Sequence, residues 1–122
     1  MPVSKKEASP CPIDATLSVL DGRWKGTILW RLLEGPKRTS ELKRSIPEMT
    51  ERMLIRHLQE MAADGIIDRQ DTGTVPPCVY YSISPYGRTL MPVLDVACAW
   101  GRKHLRRLNE LGRERNRLSG LP

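Results

Sequence analysis

Between Thr39 and Ser84 two apolar stripes, a three-residue break and an alternating run follow one another so closely that few folds can absorb them. Leu42 and Ile46 stand at i, i+4, and Leu54, Leu58 and Met61 at i, i+4, i+7, so each stretch predicts a helix with one apolar face. Only Pro47 to Met49 separate them. Pro47 disfavours helical geometry at Ile46 and ends the first helix, while Thr50 stands where its hydroxyl can accept from the orphan amides that open the second. With the second stripe buried, Glu51, Arg52, Ile55, Arg56 and Gln59 face outward.

Asp64 and Gly65 then supply a helix stop, Ile66 to Arg69 begin an extended run, and Cys78 to Ile83 return with Val79, Tyr81 and Ile83 alternating. Gly73 marks the turn. Pro76 and Pro77 lack the amide donors of a central strand and belong at an edge or at the base of the hairpin. Two short helices, a tight turn and an exposed hairpin make the layout of a winged helix-turn-helix, mainly α with a small β-hairpin wing. In that layout the start of the second helix enters a DNA major groove. Thr50, Glu51, Arg52, Ile55 and Arg56 are therefore the groove candidates, with Arg52 and Arg56 set to contact base edges. Lys37, Arg38 and Lys43 are placed to hold phosphates, and Arg69 and Thr72, with Thr74, to lay the wing along the minor groove.

On the N-terminal side, Asp14 to Leu20 and Thr27 to Leu33 carry short helical patterns, broken at Asp21-Gly22 and closed by Gly35-Pro36. Ile28, Leu29, Leu32 and Leu33 can face the same core as Leu42 and Leu58, and Trp24 and Trp30 read as packing residues. After the wing, Ser84-Pro85 looks like an N-cap followed by proline at the first helical position, Pro92 predicts a kink, and the helix should continue to about Leu111. Along it Leu90, Leu94, Ala97, Gly101, Leu105, Leu108 and Leu111 make a stripe too long for one small core to cover. The stripe points to a twofold homodimer; the alternative is a helix folded back across its own domain.

At 122 residues the chain predicts one domain, 11–109, with an N-terminal tail, 1–10, and a basic C-terminal tail, 110–122. No apolar run is long enough to span a membrane, and Met1 to Pro10 lack a signal peptide's apolar core, which favours the cytoplasm and no membrane partner. The net charge of +6 gathers in two places. Lys37 to Arg56 hold six Lys or Arg against three Glu, and the residues from Gly101 onward hold seven against two. The first cluster coincides with the helix-turn-helix and points to double-stranded DNA. The second reads as a solvated helix face or tail. Cys11, Cys78 and Cys98 form no CxxC, and His57 and His104 are scattered, so neither a structural metal nor a cofactor is expected. His57 reads as a groove or surface residue and Cys98 as core filler. With no nucleophile and base paired and no phosphate-cradling loop, an enzyme is not expected. The same charges also permit a protein-binding winged-helix adaptor whose basic face meets an acidic partner.

The residues Cys11-Pro12, Gly22-Arg23-Trp24-Lys25, Leu33-Glu34-Gly35-Pro36-Lys37-Arg38, Glu41-Leu42, Met53-Leu54, Leu58, Asp64-Gly65, Val75-Pro76-Pro77, Tyr81-Ser82, Gly87 and Trp100-Gly101 stand in this order and spacing. Together they resemble the HxlR family of bacterial transcription regulators, relatives of the MarR-type winged-helix proteins, over about Cys11 to Asn109. The resemblance implies a homodimer built by the N- and C-terminal helices. It also implies a pseudo-palindromic operator and reading of DNA by Thr50 to Arg56. Tyr80 and Cys78 depart from the family pattern, which usually has an acidic residue at the first and often a charged one at the second. Some members sense oxidants or electrophiles at the cysteine matching Cys11. Here Cys11 precedes Pro12 at an expected helix start, where free amides favour the reactive, anionic thiol. The alternative is a half-buried thiol packed against a second copy. A small-molecule effector near Trp100 is a further option.

Overall fold

In the computed structural model, which describes residues 11–119, the two apolar stripes of the central segment close against each other. The expected tail 1–10 lies outside the described residues. The chain divides between Arg88 and Thr89. The first part carries α1 (Pro12–Val19), α2 (Lys25–Leu32), α3 (Thr39–Ser45), α4 (Glu51–Ala63), β1 (Ile67–Asp71), β2 (Val79–Ile83) and the short α5 (Pro85–Arg88). The second is a single helix, α6 (Met91–Ser119). The architecture is mainly α with an antiparallel two-stranded wing, as the patterning predicts.

The turn chemistry is local and legible. Ile46 leaves helical geometry before Pro47, and the Thr50 hydroxyl accepts from the Met53 amide at 3.1 Å to open α4. Gly65, at a φ of 77°, closes α4: its amide donates to Ala62, and the Ile66 amide to Met61, the crossed pair of a left-handed helix cap. That cap aims the chain straight into β1. Ile28, Leu29 and Leu32 of α2, Leu42 and Ile46, Met49, Leu54, Leu58 and Met61 of α4, and Ile66, Ile67, Tyr81 and Ile83 of the wing make the core.

Two core expectations need correcting. Trp30 is 47% exposed and Leu33 41%. The buried arc of α2 runs through Lys25, Ile28, Leu29 and Leu32, which puts Trp30 on the far side of the helix, and Leu33 stands at the C-cap. Trp24 is half-buried beneath the Arg23 guanidinium, 4.7 Å from its ring centre.

The wing is anchored on both sides. In register, Ile67 faces Ile83 and Asp71 faces Val79, and Gly73 turns the tip at a φ of 70°. On the other edge of β2 Lys37 pairs with Tyr81 through two backbone bonds of 2.9 and 2.8 Å, so the residues that lead into α3 form a third, one-residue strand. Ser84 is the expected cap of α5: its hydroxyl accepts from the Gly87 amide at 2.8 Å and reaches the Gly65 carbonyl at 2.6 Å.

Pro92 does not kink a continuous helix. The break falls at Thr89 and Leu90, and Pro92 sits in the first turn of α6, where a missing amide donor costs nothing. The helix also runs past Leu111 to Ser119, because Leu111 to Arg117 are mostly strong helix formers with Glu and Arg at helical spacing. None of its residues is buried, and Leu105, Leu108 and Leu111 are 61%, 48% and 40% exposed. No helix among the described residues is long and apolar enough to cross a membrane.

Candidate nucleic-acid interface

Helix α4 builds the interface from its inner face outward. Leu54, Leu58 and Met61 are buried, and the complementary arc presents Glu51, Arg52, Ile55, Arg56 and Gln59, all exposed. Thr50 is exposed as well; its oxygen is engaged as the cap, which leaves the hydroxyl hydrogen to donate outward. Long donors and acceptors therefore cluster at the end of a helix whose backbone amides already carry positive potential.

The flanking cations differ in how free they are. Lys43 Nζ donates to the Pro47 carbonyl at 3.2 Å, across the turn between α3 and α4. Lys37 Nζ lies 3.2 Å from Glu34 Oε1 and is half-buried. Arg38 is exposed, 3.7 Å from Glu41, whose carboxylate accepts from the Arg38 amide at 2.9 Å. That backbone bond holds the Glu41 carboxyl below its usual range. Arg69 and Thr72 are exposed on the wing, and the tip is tied by Thr72 to Thr74, 2.8 Å, and by the Gly73 amide to Asp71, 2.9 Å.

Cys78 and Tyr80, the two departures from the family pattern, meet at one place. Lys37 pairs with Tyr81, so Arg38 falls beside Tyr80, and Cys78 lies two residues before Tyr80, just ahead of β2. A hydrogen bond with the Cys78 sulfur is the main influence raising both Arg38 and Tyr80 above their ordinary values. The base of the wing thus touches a cation at the entrance to the helix-turn-helix.

Other sulfur and imidazole groups fall elsewhere. Cys11 is exposed at the N-cap of α1, ahead of Pro12. Cys98 is half-buried on α6 and accepts from Arg102 Nη1 at 3.0 Å. Trp100 stacks on His104 at 4.9 Å.

His57 overturns its expectation. It is 6% exposed on the inner face of α4, three residues after Leu54 and four before Met61, a spacing that already placed it on the buried stripe. Its Nδ1 lies 3.7 Å from Glu60 Oε1 and makes no hydrogen bond. The same carboxylate oxygen accepts from Lys25 Nζ of α2 at 3.0 Å, and Lys25 is itself 1% exposed. The Lys25 bond holds the Glu60 carboxyl low, and burial, then Lys25, holds the imidazole low. Nothing in residue type marks this triad, because all three types are ordinarily surface residues; only their helical phase betrays them.

With this geometry in view, the chain matches a family described as HxlR-like helix-turn-helix over residues 19–109. It is 50% identical over 96 residues to YtcD of Bacillus subtilis (strain 168), an uncharacterised HTH-type transcriptional regulator, covering 79% of this chain and 76% of that protein. Among solved structures it is similar to the redox regulator HypR in its reduced form, with a TM-score of 0.78 and 39% identity over 82% of this chain and 99% of that one. It is also similar to quinone-bound YodB from B. subtilis, with a TM-score of 0.66 and 32% identity over 76% of this chain and 99% of that one.

Proposed function

The chain belongs to the HxlR-like helix-turn-helix family, whose members are transcriptional regulators rather than enzymes, and on that premise we propose that it acts in the cytoplasm as a homodimer bound to a pseudo-palindromic operator. The observation that carries this reading is the outward arc of α4, with Arg52 and Arg56 exposed beside a capped helix start. In the proposed complex Thr50, Glu51, Arg52, Ile55 and Arg56 read the major groove. Lys37, Arg38 and Lys43 hold phosphates, and Arg69 and Thr72 follow the minor groove. The uncovered stripe of α6, together with exposed Ile13 and Leu17 of α1, meets the same surfaces of a second copy.

A gel shift with the promoter adjoining its own gene tests this. Preference for that promoter over random duplex is expected; equal binding to both would favour an adaptor for an acidic protein instead.

Cys11 is the proposed oxidant or electrophile sensor. Support comes from the exposure of Cys11 at the head of α1 and from the likeness to HypR, a redox regulator, and to YodB, which binds a quinone. Diamide or a quinone should release the natural protein from its operator and leave Cys11→Ser bound. An equal response of the two would remove the role.

A further inference from the structure

We propose that Lys25 is a positioning residue for the recognition helix and that His57 makes the seating of that helix proton-dependent, so that operator binding weakens as the medium turns acid. This rests on the DNA-binding reading above. The geometry is an unequal contest for one carboxylate. Lys25 Nζ occupies Glu60 Oε1 at 3.0 Å from inside the core, and His57 Nδ1 waits 3.7 Å from the same oxygen with no hydrogen bond of its own. Both cationic candidates are buried, at 1% and 6% exposure, so whichever lacks the carboxylate carries its charge largely out of water.

While His57 is neutral, one lysine and one glutamate balance across the α2 and α4 contact. A proton on His57 gives two cations and one anion in the same space. Closing Nδ1–H onto Glu60 would take the carboxylate from Lys25; leaving it with Lys25 strands the imidazolium. Either outcome shifts α4, whose opposite face carries Arg52, Ile55 and Arg56. The charged groups that act most strongly on His57 are Lys25 from α2 and Glu60 and Arg56 from α4 itself. Burial and Lys25 both oppose the proton, so the change begins only below the ordinary imidazole range.

Two readouts test this. The first is operator affinity relative to random duplex from about pH 7.5 down to about pH 5, which should stay level to the ordinary imidazole value and, below the lowered value of His57, fall by at most about tenfold per pH unit, the slope of one linked proton. His57→Gln, checked for folding by circular dichroism, should flatten the profile, and His104→Gln should keep it. Lys25→Met should raise the pH at which the His57 ring takes its proton, by removing the nearest cation, and shrink the fall in affinity, since one cation then meets one anion; a merely structural lysine would do neither. The second readout needs no DNA: amide shifts of Glu51–Ala63 should follow the titration of the His57 ring and stop moving in His57→Gln. A profile unchanged by His57→Gln, or amides of α4 indifferent to His57, overturns the proposal. If no operator preference exists at any pH while those amides follow His57, the seating claim stands and the DNA reading falls.

Discussion

A carboxylate that serves a buried lysine makes the two ends of the pair unequal. Glu60 is 42% exposed and Lys25 is 1% exposed, so Glu60→Ala strands a charge in the core and should cost about 3 kcal/mol, whereas Lys25→Met frees a carboxylate that water can reach and should cost about 1 kcal/mol or less. Urea denaturation of the two variants checks the order; equal losses would show that the buried ammonium is not the costly partner. The same residues give the acid response. His57 is held below its ordinary value of 6.5, so the unfolded chain takes up its proton first, and stability should fall as pH drops through that value and level off below the folded-state value. Glu60, held below 4.5, adds stability above that value that is lost as pH falls through its lower folded-state value, a second and more acid step. Denaturation midpoints across that range, with His57→Gln lacking the first step, are the measurement. Outward residues of α4 were legible in sequence as the complement of an apolar stripe. His57 and Lys25 were not, because a polar type on a buried phase looks like an error until the carboxylate that satisfies Lys25 is in view.

Among the elements, caps and close approaches were read more easily than pairings. Thr50 announced α4 by its position after Pro47 to Met49, and Thr50→Ala should cost about 1 kcal/mol while Thr50→Ser is nearly neutral. Gly87 stood in the sequence as part of the family pattern, but its reason is spatial: a Cβ there would overlap the Ile66 carbonyl oxygen and press on the Ile83 side chain. Gly87→Ala should therefore destabilise by about 1–3 kcal/mol, since backbone cannot yield as a flexible side chain can. A thermal midpoint equal to that of the natural protein would show that α5 gives way freely. The bridge from Lys37 to Tyr81 had no sequence signature, because a one-residue strand has no period. Pro92 was misread for a related reason: proline marks a first turn as readily as a kink, and only the break at Thr89 and Leu90 decides between them.

For the whole molecule, the question is what covers α6. Its apolar stripe was visible in the sequence, and Leu105 and Leu108 on it are 61% and 48% exposed. If a second copy closes it, Leu105→Glu with Leu108→Glu should yield monomers in sedimentation and lose most operator affinity, while α4 stays folded. Dimers of unchanged strength would place the contact elsewhere. The most direct test of the central claim is selection of binding sites from random duplex by the natural protein, Arg52→Ala and Lys37→Ala. One pseudo-twofold motif is expected for the natural protein. Arg52→Ala should relax it at a symmetric pair of positions by about 1–3 kcal/mol, and Lys37→Ala should keep it at uniformly lower affinity. An identical motif with undiminished discrimination from Arg52→Ala would contradict the claim that the outward face of α4 reads the sequence.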